Sequence, residues 1–219
     1  MIRLVVFSLL ALTVSAEFCY NDVVRSCGAI GGAINNCNSN YSGVETVQPD
    51  LQHYAATHID QNFQYLLMSA YFNNYEANRE GFSKLYRHLA DDAWEDTIDL
   101  VKYMAKRGFN MNFDIVPRKK VKIQSYKMYE LSSLATALDM QKVLAEQAHE
   151  IHSEVTVRKK KYHDAETINF IEKEFVGKHS DRIRDLAGHA NDLHQLIAGN
   201  KDPSLAIYLF DEHLKKVVG

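Results

Sequence analysis

The stretch Asp50 to Tyr75, DLQHYAATHIDQNFQYLLMSAYFNNY, decides the architecture. Tyr54, His58, Asn62, Tyr65, Ser69 and Phe72 recur at intervals of three or four, the spacing that lines residues along one face of an α-helix. A second line through Ile59, Phe63, Leu67 and Tyr71 is also apolar, and a helix with two apolar faces usually buries one of them against another subunit. This helix is expected to run from Pro49 or Asp50 to Tyr75.

The same periodicity returns downstream. From Arg79 to Lys106, Phe82, Leu85, Leu89, Ala93, Asp96, Leu100 and Tyr103 share a face, and Gly108 supplies a C-cap. With only Glu76 to Asn78 between them, the first two helices should form an antiparallel hairpin. Gly108 to about Tyr126 has no such period, contains Pro117 and the basic run Arg118 to Lys122, and reads as a crossover along the bundle. A third helix, about Lys127 to Val157, carries Leu131, Leu134, Leu138, Gln141, Ala145, Ala148 and His152 in register. The fourth, about Ala165 to Ala198, carries Ile168, Ile171, Phe175, His179, Leu186, Ala190, Leu193 and Ile197. After a Gly199-Asn200 break, Pro203 introduces a short fifth helix from Ser204 to about Lys216, since proline suits a first helical turn. The reading is an all-α four-helix bundle with a long crossover between the second and third helices.

Upstream the composition changes. Residues 1–16 combine Arg3, the apolar run Leu4 to Val14, and small residues Val14 and Ala16 at the positions a signal-peptide cleavage site requires. A membrane anchor needs about 20 apolar residues, and Glu17 ends this run well before that. Residues 17–49 are rich in Gly, Asn and Ser and read as an irregular, cysteine-bearing extension to the helical domain at 50–219. All three cysteines, Cys19, Cys27 and Cys37, lie here. In an oxidising compartment two can pair and the third remains for another chain or as a free thiol, with the pairing left open. Spacings of eight and ten residues without a nearby histidine do not make a zinc knuckle. Asn40-Tyr41-Ser42 matches a glycosylation sequon. Only three prolines accompany twelve tyrosines and ten phenylalanines, a balance suited to long helices. A formal net charge of -3 gives no footprint for nucleic acid.

The segments Asn62 to Phe72, NFQYLLMSAYF, and Ala206 to His213, AIYLFDEH, closely resemble the first and last helices of ferritins. The likeness continues through Gly81 to Leu85, Lys106-Arg107-Gly108 and Asn169 to Glu172, and so covers essentially all of residues 50–216. With the signal peptide and cysteine arm, the chain resembles a secreted ferritin subunit of the insect type, on the light-chain side. The resemblance implies a shell of twenty-four heavy and light subunits around a ferric mineral, with an intersubunit disulfide to a ferroxidase-active heavy partner. It also implies residence in the secretory pathway, in the Golgi or endoplasmic reticulum lumen, and outside the cell.

Oxidation of ferrous iron at a paired site needs hard carboxylate ligands holding two metals close together. Matching the family's pattern residue by residue places His58 at the first Glu, Ala93 and Asp96 at the Glu-x-x-His pair, Gln141 at the next Glu and His179 at the distal acid or amide. Tyr65 alone keeps the usual identity. Ala93 cannot bind metal, so no catalytic diiron centre is expected; the layer reads as buried polar residues satisfying one another, with His58 or His179 paired to Asp96. The resemblance moves the iron chemistry to His88, Asp91, Asp92 and Glu95, which share one helix face and match the cavity surface where light chains nucleate mineral. At the three-fold pore Asn169 and Glu172 stand where two acids are usual. The leading reading is a non-catalytic iron-storage subunit; the alternatives are a ferroxidase with an atypical His/Asp centre at His58, Asp96 and His179, and a secreted iron-transport cage subunit.

Overall fold

A computed structural model describes residues 19–26, 34–118, 128–157 and 163–218. The segment expected to be a signal peptide, Cys27 and the basic run beyond Arg118 lie outside the described residues. The chain divides into two units, Met1–Ser39 and Asn40–Gly219. In the first, helix α1 (Cys19–Ser26) is joined to Cys37 by a Cys19–Cys37 disulfide, and Asp22 accepts from the backbone N–H and side-chain amide of Asn36 at 2.8 and 2.9 Å. A helical turn therefore occurs in a segment whose composition reads as irregular. Its polar end is tied through Asp22.

Among its described residues the second unit is all-helical: α2 (Val44–Phe72), α3 (Glu80–Lys106), α4 (Glu130–Val157), α5 (Ala165–Ile171), a π-helical turn (Glu172–Val176), α6 (Gly177–Gly199) and α7 (Pro203–Val217). Helix α2 packs on α3 and α4, α4 on α6, and α7 closes against α3 and α6. None of the described helices is long and apolar enough to cross a membrane.

Several boundaries depart from expectation for physical reasons. Helix α2 begins at Val44, so Pro49 lies inside it. A proline there forfeits one main-chain hydrogen bond, but Val44 and Val47 are fully buried and hold the extra turn down. The helix stops at Phe72; the linker to α3 turns at Asn78, whose φ of 46° suits asparagine. On α4 the fully buried line is Leu134, Ala137, Met140, Leu144, Ala148, Ile151 and Val155, whereas Leu131, Leu138, Ala145 and His152 are only half-buried. Met128 and Tyr129 precede α4 rather than belonging to it.

Helix α3 ends in a Schellman cap. Gly108 has φ 85°, its N–H donates to Ala105 O at 3.1 Å, and the Phe109 N–H donates to Met104 O at 2.9 Å. Arg107, 1% exposed, turns inward there to meet Asp164 at 2.7 Å, and Asp164 also caps α5 through the N–H groups of Glu166 and Thr167. One ion pair thus ties the end of α3, where the crossover begins, to the start of α5. Asp202 caps α7 on the Ser204 N–H at 2.9 Å, with Pro203 at the first helical position.

The apolar core falls into two halves. One gathers Val44, Leu51, Tyr54, Leu100, Met104, Ile151 and Phe175; the other gathers Tyr65, Phe72, Phe82, Tyr86, Leu134, Leu186 and Phe210. Between them lies a buried polar layer of His58, Gln61, Asn62, Asp96, Gln141 and His179. That layer is the part of the bundle with chemistry in it.

Candidate functional site

Asp96 is the carboxylate at the centre of the layer, with a side chain 1% exposed. Its partners are cations from α6: Lys178 Nζ at 3.1 Å on one oxygen and Arg182 Nη1 at 2.7 Å on the other. Arg182 also reaches Asp92 Oδ2 through Nη2 at 3.0 Å, so one guanidinium joins two carboxylates a turn apart on α3. Burial pushes the Asp96 carboxyl up, but the cationic groups facing it outweigh burial and hold it below its ordinary value. At neutral pH those groups are Arg182 and Lys178, because burial drives His58 down to about 3 and keeps it uncharged. The expected pairing of Asp96 with His58 or His179 is therefore corrected. Guanidinium and ammonium groups keep their charge at neutral pH, and α6 places both within reach.

The histidines do something else. Tyr65 Oη donates to the Ala137 carbonyl at 3.3 Å, and a carbonyl can only accept. Tyr65 therefore accepts from Gln141 Nε2 at 3.1 Å, which turns Gln141 Oε1 toward His179 Nδ1 at 3.3 Å. His179 donates from Nδ1, leaving Nε2 to accept the Tyr54 hydroxyl at 2.6 Å. The polarity of the chain Tyr54–His179–Gln141–Tyr65 is thus set by one carbonyl. Burial lowers His179 to about 4 and raises Tyr54, so both are neutral. His58 stacks on His179 with centroids 5.7 Å apart and meets Tyr54 edge-on at 4.6 Å; neither of its ring nitrogens has a hydrogen-bond partner among the described residues.

Chemically this layer is poorly matched to a ferrous pair. Ala93, expected from the resemblance at the bridging position, is buried and has no ligand to offer, and the single carboxylate is already bonded by two cations that would repel an incoming Fe²⁺. Tyr54, Lys178 and Arg182 belong to the layer and were not singled out from sequence. Arg182 had a legible signal, because it lies three residues after His179 and so shares its helix face. Tyr54 stood on the core stripe without a role, and Lys178 had no signal of its own.

The π turn explains how α5 and α6 keep Ile171, Phe175 and His179 all buried. A regular α-helix would rotate residues spaced four apart by about 40° per step, and a wider turn cancels that drift. Glu172, within the π turn, is exposed and meets His152 Nε2 at 2.9 Å, while Lys173 pairs with Glu174. Asn169 is exposed nearby in sequence.

On the outer face of α3 the four selected residues are not equivalent. Asp91 is bonded to Arg87 at 2.9 Å, Asp92 to Arg182 and more distantly to His88 at 3.8 Å, and Glu95 has no ion-pair partner among the described residues. Among the described residues no three His, Cys, Asp or Glu side chains converge as a metal-holding group. Asn40 is half-buried and its amide donates to Glu45 at 3.4 Å.

Comparison with known proteins agrees with this architecture. The ferritin-like domain family matches residues 50–209. A ferritin light chain of Trichoplusia ni is 45% identical, with 100% of this chain and 99% of that protein covered. A ferritin light chain of Drosophila melanogaster is 38% identical over 94% of this chain and 93% of its own length. The crystal structure of Trichoplusia ni secreted ferritin superposes with a TM-score of 0.85 at 45% identity, covering 92% of this chain and 99% of that one. With the bundle, its crossover, its tail helix and these full-length relatives in agreement, the chain belongs to the ferritin family.

Proposed function

We infer that this chain is an iron-storage subunit of light type, which supplies shell and mineral-nucleating surface and does not itself oxidise iron. The observation that carries the second half is the ion-paired centre: Asp96, at the histidine position of the family's pattern, is held by Lys178 and Arg182, and Ala93 stands where that pattern has its bridging carboxylate. Its role as a storage protein follows from the likeness to insect ferritin light chains over the whole length. Iron is cargo here. The oxidising step belongs to a heavy-type partner in a mixed shell of twenty-four subunits, joined by a disulfide through Cys27, the cysteine that remains once Cys19 and Cys37 have paired. Residues 1–16 direct the chain to the secretory lumen and the extracellular space, in keeping with a structural relative described as a secreted ferritin.

Mineral nucleation is assigned to the α3 face, with Glu95 as the freest ligand, Asp91 next, and Asp92 and His88 beside them. Glu172 is the remaining carboxylate for the three-fold pore. Shells made only of this chain, titrated anaerobically with Fe²⁺ and then mixed with oxygen, should show no rapid stoichiometric peroxo-type absorbance; its appearance would refute the non-catalytic reading. For nucleation, Asp91→Ala with Glu95→Ala in mixed shells should slow core growth. Asp92 is best left intact in that experiment because its Arg182 bond is structural.

A further inference from the structure

Tyr54, Tyr65, Tyr86 and Tyr103 are all buried, but their hydroxyl protons point at different groups. Tyr65 donates to a carbonyl. Tyr86 meets Ser133 Oγ at 2.6 Å, and because that hydroxyl donates to Glu130 O at 2.7 Å, Tyr86 is the donor. Tyr103 pairs with the Thr167 hydroxyl at 2.8 Å, accepts from Arg107 at 3.0 Å and also meets the Glu166 carboxylate, a base already engaged by Lys106 at 2.9 Å and Arg107 at 3.1 Å. Carbonyl and hydroxyl oxygens do not take up a proton in the ordinary pH range. Tyr54 alone of the four is bonded to an imidazole, His179 Nε2 at 2.6 Å, in the tautomer whose accepting nitrogen faces the phenol.

Removing an electron from a phenol turns its O–H into a strong acid. A base already at hydrogen-bond distance lets the proton leave with the electron and avoids a high-energy phenol cation. We propose that Tyr54 and His179 form a redox-active pair that yields one electron to strong one-electron oxidants and acts as an internal sink for oxidising equivalents. The step balances as follows in atoms and charge: the oxidant gains one electron, the Tyr54 O–H bond breaks, an N–H bond forms at His179 Nε2, and the products are a neutral phenoxyl radical and an imidazolium. Asp96 favours the new positive charge, whereas Arg182 and Lys178 oppose it. His58 at 4.6 Å and Phe175 at 5.4 Å pack around the Tyr54 ring, which is 1% exposed, so the radical is kept from coupling with another. On the storage reading the physiological oxidant is a hydroxyl radical formed where ferrous ion meets peroxide; the pair itself is defined without iron.

The test uses the iron-free, full-length assembled protein, oxidised with hexachloroiridate(IV) and freeze-quenched for electron paramagnetic resonance. A tyrosyl signal is expected in the native protein, absent in Tyr54→Phe and retained in Tyr65→Phe. Its formation should slow by about 100-fold in His179→Leu, the lower range of what a positioned base supplies. Native protein in D₂O should form the radical more slowly than in H₂O, a readout that needs no variant and survives misfolding of His179→Leu. No tyrosyl signal in the native protein, a signal unchanged in Tyr54→Phe, one lost instead in Tyr103→Phe, or equal rates in the two solvents would overturn the proposal. Because iron is absent throughout, these outcomes are independent of the ferrous titration.

Discussion

Arg182 spans Asp96 and Asp92, and Lys178 alone would be left beside Asp96 without it. Truncating one member of a buried ion pair strands the other charge, so Arg182→Ala should cost about 3 kcal/mol or more in denaturant unfolding. Arg182→Lys should recover only part, because an ammonium does not bridge two carboxylates as a guanidinium fork does; a loss below about 1 kcal/mol in Arg182→Ala would show the pair is not stabilising. His58 is the opposite case, a buried imidazole whose nitrogens are unpaired among the described residues. Exchanging it for Leu removes that desolvation and should leave stability at neutral pH unchanged or raised by about 1 kcal/mol. Acid response follows from the same residues. His58 and His179 have folded values of about 3 and about 4, below the ordinary 6.5. As pH falls through 6.5 the unfolded chain takes up protons that the native bundle refuses. Their stabilising contribution is therefore complete above that pH and declines toward the folded values, each by up to about 1.4 kcal/mol per pH unit. Calorimetric melting between about pH 7 and about pH 5 should fall less steeply in His58→Leu than in the native protein.

At the scale of elements, the tail helix is held by a contact with almost no slack. Asp211, buried on α7, accepts the Phe82 N–H at 3.1 Å and so caps the first turn of α3 from outside that helix. Gly81 is needed for the approach, since a Cβ there would lie 2.1 Å from the Asp211 carbonyl oxygen. Asp211→Ala should cost about 1 kcal/mol through the lost cap, and Gly81→Ala about 1–3 kcal/mol by overpacking. Both should raise hydrogen exchange in α7 before the rest of the bundle, and unaltered α7 protection in Gly81→Ala would refute the docking role. The existence and order of the bundle helices were readable from spacing, because an amphipathic stripe is a property of one segment, whereas α1 was not. The α2 start was not, since burial of Val44 and Val47 depends on α3 and α4. Nor was the π turn, which serves the alignment of three side chains with a distant core.

For the molecule as a whole, the outward line of α2 matters most. Phe63 and Leu67 are 62% and 64% exposed on the subunit, with half-buried Ile59 and Tyr71 in the same line. Such a face is costly in water and fits the burial of one subunit against another in a shell. Phe63→Glu with Leu67→Glu should leave the helical spectrum intact and stop assembly, read as a shift from shell to small species in sedimentation; full-size shells would argue that the contact lies elsewhere. From sequence alone came the bundle, its crossover and the family, because periodicity and residue identity are local. Folding determined which groups meet across the centre: Asp96 with Lys178 and Arg182, His179 with Tyr54, and His58 among aromatic rings. The Asp96 ion pairs and the Tyr54–His179 bond join residues more than eighty positions apart, and which cation or hydroxyl faces which acid or imidazole depends on helix rotation and on the single accepting carbonyl of Ala137.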